Sequence, residues 1–162
     1  MPDWIAHLGF AFLLAYALKI RRKELVVIGA LIPDLVRVFE FLPVFGDSTF
    51  FAALPFHGLL LPLFISGIIC AFFIEEINYK KGLALMYLGV LTHLFLDGLM
   101  LYTVAGIRPF IPFSFLRFGA LNIVPSEDFS LAILAVIIIA VVVIYELLKR
   151  KQSKGAEQIK SN

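Results

Sequence analysis

The sequence is short of charge and has almost no cysteine. Only 16% of its 162 residues are charged, whereas a soluble domain has about 25% charged residues. A single cysteine, Cys70, excludes a disulfide-stapled scaffold, and a net charge of +2 gives no electrostatic footprint for nucleic acid. Low net charge with few polar residues also excludes a disordered chain.

Apolar residues make up most of what is present. They account for 61% of the chain, and the mean hydropathy is +0.97. A compact soluble domain of this length cannot hide so much apolar surface from water. The sequence therefore predicts an all-α, polytopic transmembrane helical bundle formed by a single domain at residues 1–150. Residues 151–162 are predicted to form a polar, disordered cytoplasmic tail.

Five apolar segments have lengths near the ~20 residues that a helix needs to cross a bilayer. The second is interrupted at Pro33 and Asp34, where a helix is expected to break. The segments are 4–20, 25–45, 54–74, 82–104 and 130–148.

The basic residues predict the orientation. All but three of the 14 lysines and arginines follow segments one, three or five, so they lie on the same side of a five-span protein. The positive-inside rule then puts the N-terminus outside and the C-terminus in the cytoplasm of a multi-pass cell-membrane protein.

Several polar residues lie inside these apolar segments, where a charge is costly. At 1.5 Å per residue, five of them fall about 14 to 26 Å from the cytoplasmic ends of their segments. We therefore expect one shared polar site in the outer half of the membrane. The five candidate metal ligands are His7, Asp34, His57, His93 and Asp97.

His93 and Asp97 form the most specific pair. Residues four apart share a helix face, so an imidazole and a carboxylate can reach one ion. This ligand set suits zinc best, with manganese or iron as alternatives. A buried His–Asp hydrogen bond that ties helices together without metal is the structural alternative.

Four further roles are predicted outside that pair. Asp34 and Glu127 are candidate catalytic proton acceptors, although Asp34 can instead pair with Arg37 and Glu127 can complement a helix dipole. Arg108 and Arg117 are candidate substrate-binding residues because a guanidinium grips phosphate, but both can also simply reach the membrane interface. They flank a proline-broken aromatic stretch suited to that interface.

Short motifs in this order resemble the YdjM-like membrane-bound metal-dependent hydrolases, whose layout is distantly like that of zinc-dependent phospholipase C. The motifs cover residues 2–112. They are His7, then Gly29-Ala-Leu-Ile-Pro-Asp34, then His57-Gly-Leu-Leu, then Thr92-His-Leu-Phe-Leu-Asp97.

The chain departs from that family at four positions. Val36 and Arg37 stand where the family often has a further aspartate and histidine, and Ala52 and Ala53 stand where it often has a His-Arg pair. The resemblance thus implies either a single-metal site or one that is no longer catalytic.

These observations together predict a membrane-embedded metal-dependent hydrolase with a divalent ion as cofactor. Its place in the membrane favours a lipid or lipid-linked phosphoester as substrate. The alternative is a non-enzymatic membrane protein whose His/Asp cluster binds or conducts metal ions or protons, or only stabilises the bundle.

Overall fold

The structure is a computed structural model that describes residues 4–36, 55–73, 78–101, 108–116, 124–125 and 130–161. It confirms the all-helical class. All of its long elements are helices. The described residues also include a parallel pair of two-residue strands, β1 (Met100–Leu101) and β2 (Val124–Pro125). The helices are α1 (Trp4–Ala17), α2 (Lys23–Leu31), α3 (Leu60–Phe73), α4 (Tyr79–Leu99) and α5 (Ser130–Ser161).

Two of the described helices are long and apolar enough to cross a membrane, fewer than the five spans that the sequence predicts. They are α4, with a mean hydropathy of 1.5, and the Ala132–Lys149 part of α5, with 2.6. Helices α1 and α3 have 14 residues each and are shorter than that requirement.

The break predicted in the second segment is confirmed. Helix α2 ends at Leu31 and continues as a 3₁₀ turn over Ile32–Val36, because Pro33 has no N–H to donate to the preceding turn. Asp34 lies in this 3₁₀ turn, directly after the C-terminal end of α2.

Helix α5 differs from the sequence prediction at its C-terminal end. It extends past the apolar segment to Ser161, through residues predicted to form the tail. Those residues are rich in lysine, glutamine, glutamate and alanine, which favour helix formation.

Helices α2 and α4 pack backbone against backbone. A Cβ atom on Gly29 would collide with the carbonyl of Met86, and a Cβ atom on Gly89 would collide with that of Val26. Small residues at a helix interface allow this close approach in membrane proteins. The contact fixes the position of α4, and with it the heights of His93 and Asp97, relative to the end of α2.

Helix α1 lies against α2, α4 and α5. Its buried alanines Ala11 and Ala15 form a small apolar cluster with Val26 and Ala30 of α2. The chain leaves α1 through Lys19, whose φ of 54° is the left-handed conformation that ends a helix. Backbone bonds from Lys19 and Ile20 back to the last turn complete that end.

Candidate metal centre

The five predicted ligands come together in one cluster. His7 is in the second turn of α1, Asp34 in the 3₁₀ turn, His57 in the turn before α3, and His93 and Asp97 on α4. The structure thus brings these side chains close together, although the sequence alone did not specify which of them meet. Four of the five are at most 4% exposed.

Asp97 is at the centre of the cluster. Its Oδ1 lies 3.4 Å from Nε2 of His7, and its Oδ2 lies 3.3 Å from Nε2 of His93. Oδ2 is also 3.7 Å from Nε2 of His57, which in turn lies 3.7 Å from Oδ1 of Asp34. One carboxylate therefore faces all three histidines of the chain.

The orientation of His93 is set by a backbone carbonyl. Its Nδ1 lies 2.7 Å from the carbonyl oxygen of Ala30. A carbonyl only accepts hydrogen bonds, so Nδ1 carries a hydrogen and donates it to Ala30, which leaves Nε2 as the ring nitrogen that faces Asp97. A histidine that binds metal usually donates its other N–H in this way.

Ala30 is the part of the site that sequence reasoning missed. Its carbonyl is available because residue 33, which would donate to it in a 3₁₀ turn, is a proline without an N–H. The signal in the sequence is therefore Pro33, three residues later, which the sequence analysis used only to predict a helix break.

The rings of His7 and His57 both contact the ring of His93. The rings of His7 and His93 stack with centroids 3.8 Å apart, and the ring of His57 meets that of His93 edge to face at 5.7 Å. Two sets of three possible ligand atoms lie within 4.8 Å of one another. They are His7, His93 and Asp97, and Asp34, His57 and His93.

The separations fit ligands around an ion better than direct hydrogen bonds. Charge-assisted N–H···O bonds are about 2.7–2.9 Å long. Ligand atoms about 2.0–2.1 Å from a tetrahedrally coordinated ion lie roughly 3.3 Å apart. The distances from Asp97 to His7 and His93, 3.4 and 3.3 Å, match the second value, and the two from His57 are longer, at 3.7 Å. Nε2 of His93 also has no well-directed hydrogen bond among the described residues.

The charge of the cluster leads to the same conclusion. Asp34 and Asp97 are two buried acids, and histidines lie within 3.7 Å of both. Burying a carboxylate is favourable only with compensating positive charge or hydrogen bonds. A divalent cation would supply such charge, so the donor set suits a cation.

The remaining sequence predictions have mixed outcomes. Arg108 is near the cluster, since its carbonyl oxygen would lie 3.6 Å from a Cβ atom on Gly58, the residue after His57. Arg117 and Glu127 lie outside the described residues, as does Arg37. The hydroxyl of Thr92, in the Thr-His motif, donates a hydrogen bond to the carbonyl of Leu88 in the same helix.

The fold and the site together define a helical protein with two membrane-length helices and a buried cluster of histidine and aspartate. Comparison with protein-family models, with curated proteins and with solved structures finds no significant match. Any functional assignment therefore depends on the geometry of the cluster.

Proposed function

We propose that this protein is a membrane-embedded, metal-dependent hydrolase with one divalent ion, zinc by preference, in the His/Asp cluster. The observation that carries the proposal is the set of three 3.3–3.7 Å separations between the Asp97 carboxylate and histidine Nε2 atoms. The sequence resemblance to the YdjM-like hydrolases supports the reaction class.

The residues have distinct roles in this proposal. His93, Asp97 and His57 would hold the ion, while His7 stacks on the ring of His93. A bound divalent ion would polarise a phosphoryl oxygen and make water more acidic. Asp34, if it is not a further ligand, or Glu127 would accept the proton of the attacking water. The packing of α2 on α4 holds these groups in place.

The five-span topology is part of the proposal. Helices α1 and α5 run in the same direction, because Gly9 is close to Ala135 while Tyr16, further along α1, bonds Glu146, further along α5. Three helices, α2 to α4, lie between α1 and α5 in the chain. If the chain crosses the membrane with each of the five helices, α1 and α5 run in the same direction. An external N-terminus and a cytoplasmic C-terminus then follow from the basic residues.

The buried packing favours a hydrolase over an ion or proton pathway. Such a pathway needs polar groups on both sides of the cluster. Toward the basic ends of α1, α2 and α4, the buried core next to the cluster is apolar in the described residues. Its members there are Ala11, Ala15, Val26, Met86 and Val90.

The deciding experiment measures metal content and turnover together. The full chain in lipid nanodiscs is expected to hold about one zinc ion and to hydrolyse a member of a phospholipid and lipid-phosphate panel. Asp97→Asn is expected to lose both, with turnover falling by more than about 100-fold, the upper range for residues that only support a ligand. Glu24→Gln, an exposed acid at the start of α2, is the matched control.

Three outcomes contradict this proposal. Wild-type protein that takes up no metal from replete medium removes the ligand assignment. Metal-loaded protein that hydrolyses nothing on the panel but passes ions across liposomes identifies a transporter. Equal turnover in Asp97→Asn and Glu24→Gln places the chemistry elsewhere.

A further inference from the structure

His57 is the clustered residue nearest to the surface of the protein. Its side chain is 16% exposed, while those of His7, His93 and Asp97 are at most 3% exposed. Its Nε2 atom, which faces the cluster, is shielded from solvent, so a molecule would approach the cluster past the outer part of the His57 ring. The residues around His57 form the entrance to the site.

The segment 108–116 forms one wall of this entrance. The backbone N–H of Leu59 donates to the carbonyl of Pro109 at 2.9 Å, and a Cβ atom on Gly58 would contact both the Pro109 and Arg108 carbonyls. The glycine thus allows this segment to pack directly beside His57. Any larger residue at position 58 would push the segment away.

Arg108 brings a buried donor to this wall. Its Nε atom is shielded from solvent and has no hydrogen-bond partner among the described residues. Leaving a buried charged donor unsatisfied is costly. A planar guanidinium bonds phosphate oxygens in pairs, which is the bond this group lacks.

The outer side of the same wall is apolar. Phe113 and Phe115 are 85% and 67% exposed, and Phe110 is 46% exposed. Exposed aromatic side chains of this density are typical of the level of lipid head groups in a membrane protein. The wall therefore combines one cation facing the packed interior with aromatic rings facing outward.

We propose that Arg108 binds the phosphate of a membrane lipid at the entrance beside His57, so that the substrate is a lipid-borne phosphate rather than a free one. This inference depends on the proposed membrane location and metal centre. Arg108 would supply positive charge for the phosphate whether or not the cluster holds an ion. The phenylalanines place the lipid chains in the bilayer.

The test measures binding in the absence of metal and turnover. Full-length protein in detergent, stripped of metal with a chelator, is titrated calorimetrically with dihexanoyl phosphatidic acid. Arg108→Gln is expected to weaken binding about 10-fold or more, as the loss of a charge-assisted bidentate contact predicts. Arg108→Lys is expected to restore part of it, since lysine keeps the charge but not the fork.

The matched control is Arg21→Gln, which removes the same charge from an exposed site between α1 and α2. It is expected to bind like the wild type. Equal affinities for Arg108→Gln and Arg21→Gln, in samples that remain monodisperse, contradict the inference.

Two further titrations separate the source of the phosphate. Glycerol 3-phosphate is expected to bind at least 10-fold more weakly than the lipid, and equal binding would show a site for free phosphate esters instead. Dihexanoyl glycerol, which lacks phosphate, is expected to bind too weakly to detect, and binding equal to that of the lipid phosphate excludes a role for Arg108. Because these titrations need no metal, failure of the proposed hydrolase reaction leaves their result interpretable.

Discussion

Helices α4 and α5 contrast in apolar character and in burial. The apolar window of α5 has the higher mean hydropathy, 2.6 against 1.5, yet only 11% of it is buried against 44% for α4. A soluble protein buries its most apolar helix most deeply. The reverse order here supports the proposed membrane location, in which the apolar surface of α5 would face lipid.

The inward face of α4 carries both the chemistry and the tight packing. His93, Asp97 and Gly89 are all buried on this helix. On α5, by contrast, the fully buried residues among those described are the small Ala132 and Ala135, and most of the large aliphatic side chains are exposed. Helix α4 is therefore specified residue by residue, whereas α5 needs only to be apolar on most of its surface.

A charge in the middle of α5 is the largest expected disruption. Val141 is 60% exposed at the centre of the apolar window. If that surface faces lipid, Val141→Arg costs about 2.5–3.5 kcal/mol of insertion free energy. The measurement is the fraction of protein that stays in membranes after carbonate extraction.

The position-matched control for that change is Leu148→Arg. Leu148 is 56% exposed but lies next to Lys149 at the end of the window, where a long basic side chain reaches the interface at little cost. If both variants partition like the wild type, the outward face of α5 does not lie in lipid and the contrast between the helices loses its meaning.

An added methyl group in the α2–α4 contact has the next largest expected effect. Gly89→Ala places a Cβ atom against the Val26 carbonyl, so the two backbones must separate. Overpacking of this kind costs about 1–3 kcal/mol of unfolding free energy. Because the same contact sets the height of His93, we also expect weaker zinc binding.

Gly67→Ala, at which the nearest atom is the movable hydroxyl of Tyr79 at 3.1 Å, is the control for the glycine change. Unfolding curves in detergent with and without zinc compare the two variants. A Gly89→Ala protein as stable and as zinc-responsive as Gly67→Ala would show that the close approach of α2 and α4 does not position the site.

The positions of the polar residues along their segments were enough to predict that the site residues meet. His7, Asp34 and His93 fall at similar heights once each segment is measured from its basic end, and the structure brings them together. Height alone does not specify which face of a helix points inward. That depends on close contacts such as Gly29 against Met86, which no single-sequence periodicity reveals.

Apolar length did not predict where the third segment breaks. The segment that contains His57 is apolar from residue 54, but helical residues 55–56 are separated from α3, which starts at Leu60, by a turn at 57–59. A bond between Leu59 and Pro109, 50 positions further along the chain, contacts this turn. A contact between residues so far apart in sequence leaves no local pattern, so the apolar segment alone did not reveal the break.

A polar link between α1 and α5 gives the smallest expected effect. Tyr16 of α1 donates a 2.8 Å hydrogen bond to Oε1 of Glu146 on α5. Tyr16→Phe removes the hydroxyl but keeps the ring, and Glu146→Gln keeps an acceptor without the charge. Each single change is expected to lower the unfolding midpoint by less than Gly89→Ala does, and the double variant by less than their sum, because both remove the same bond. Zinc content is expected to stay at the wild-type value in all three, since the bond is at the opposite end of α1 from His7.

Two outcomes contradict this prediction. If the losses of unfolding midpoint in the two single variants add up in the double variant, the hydrogen bond does not contribute to holding α5, and the apolar packing around Gly9 and Ala135 does so instead. If any of the variants loses zinc, α5 supports the metal centre.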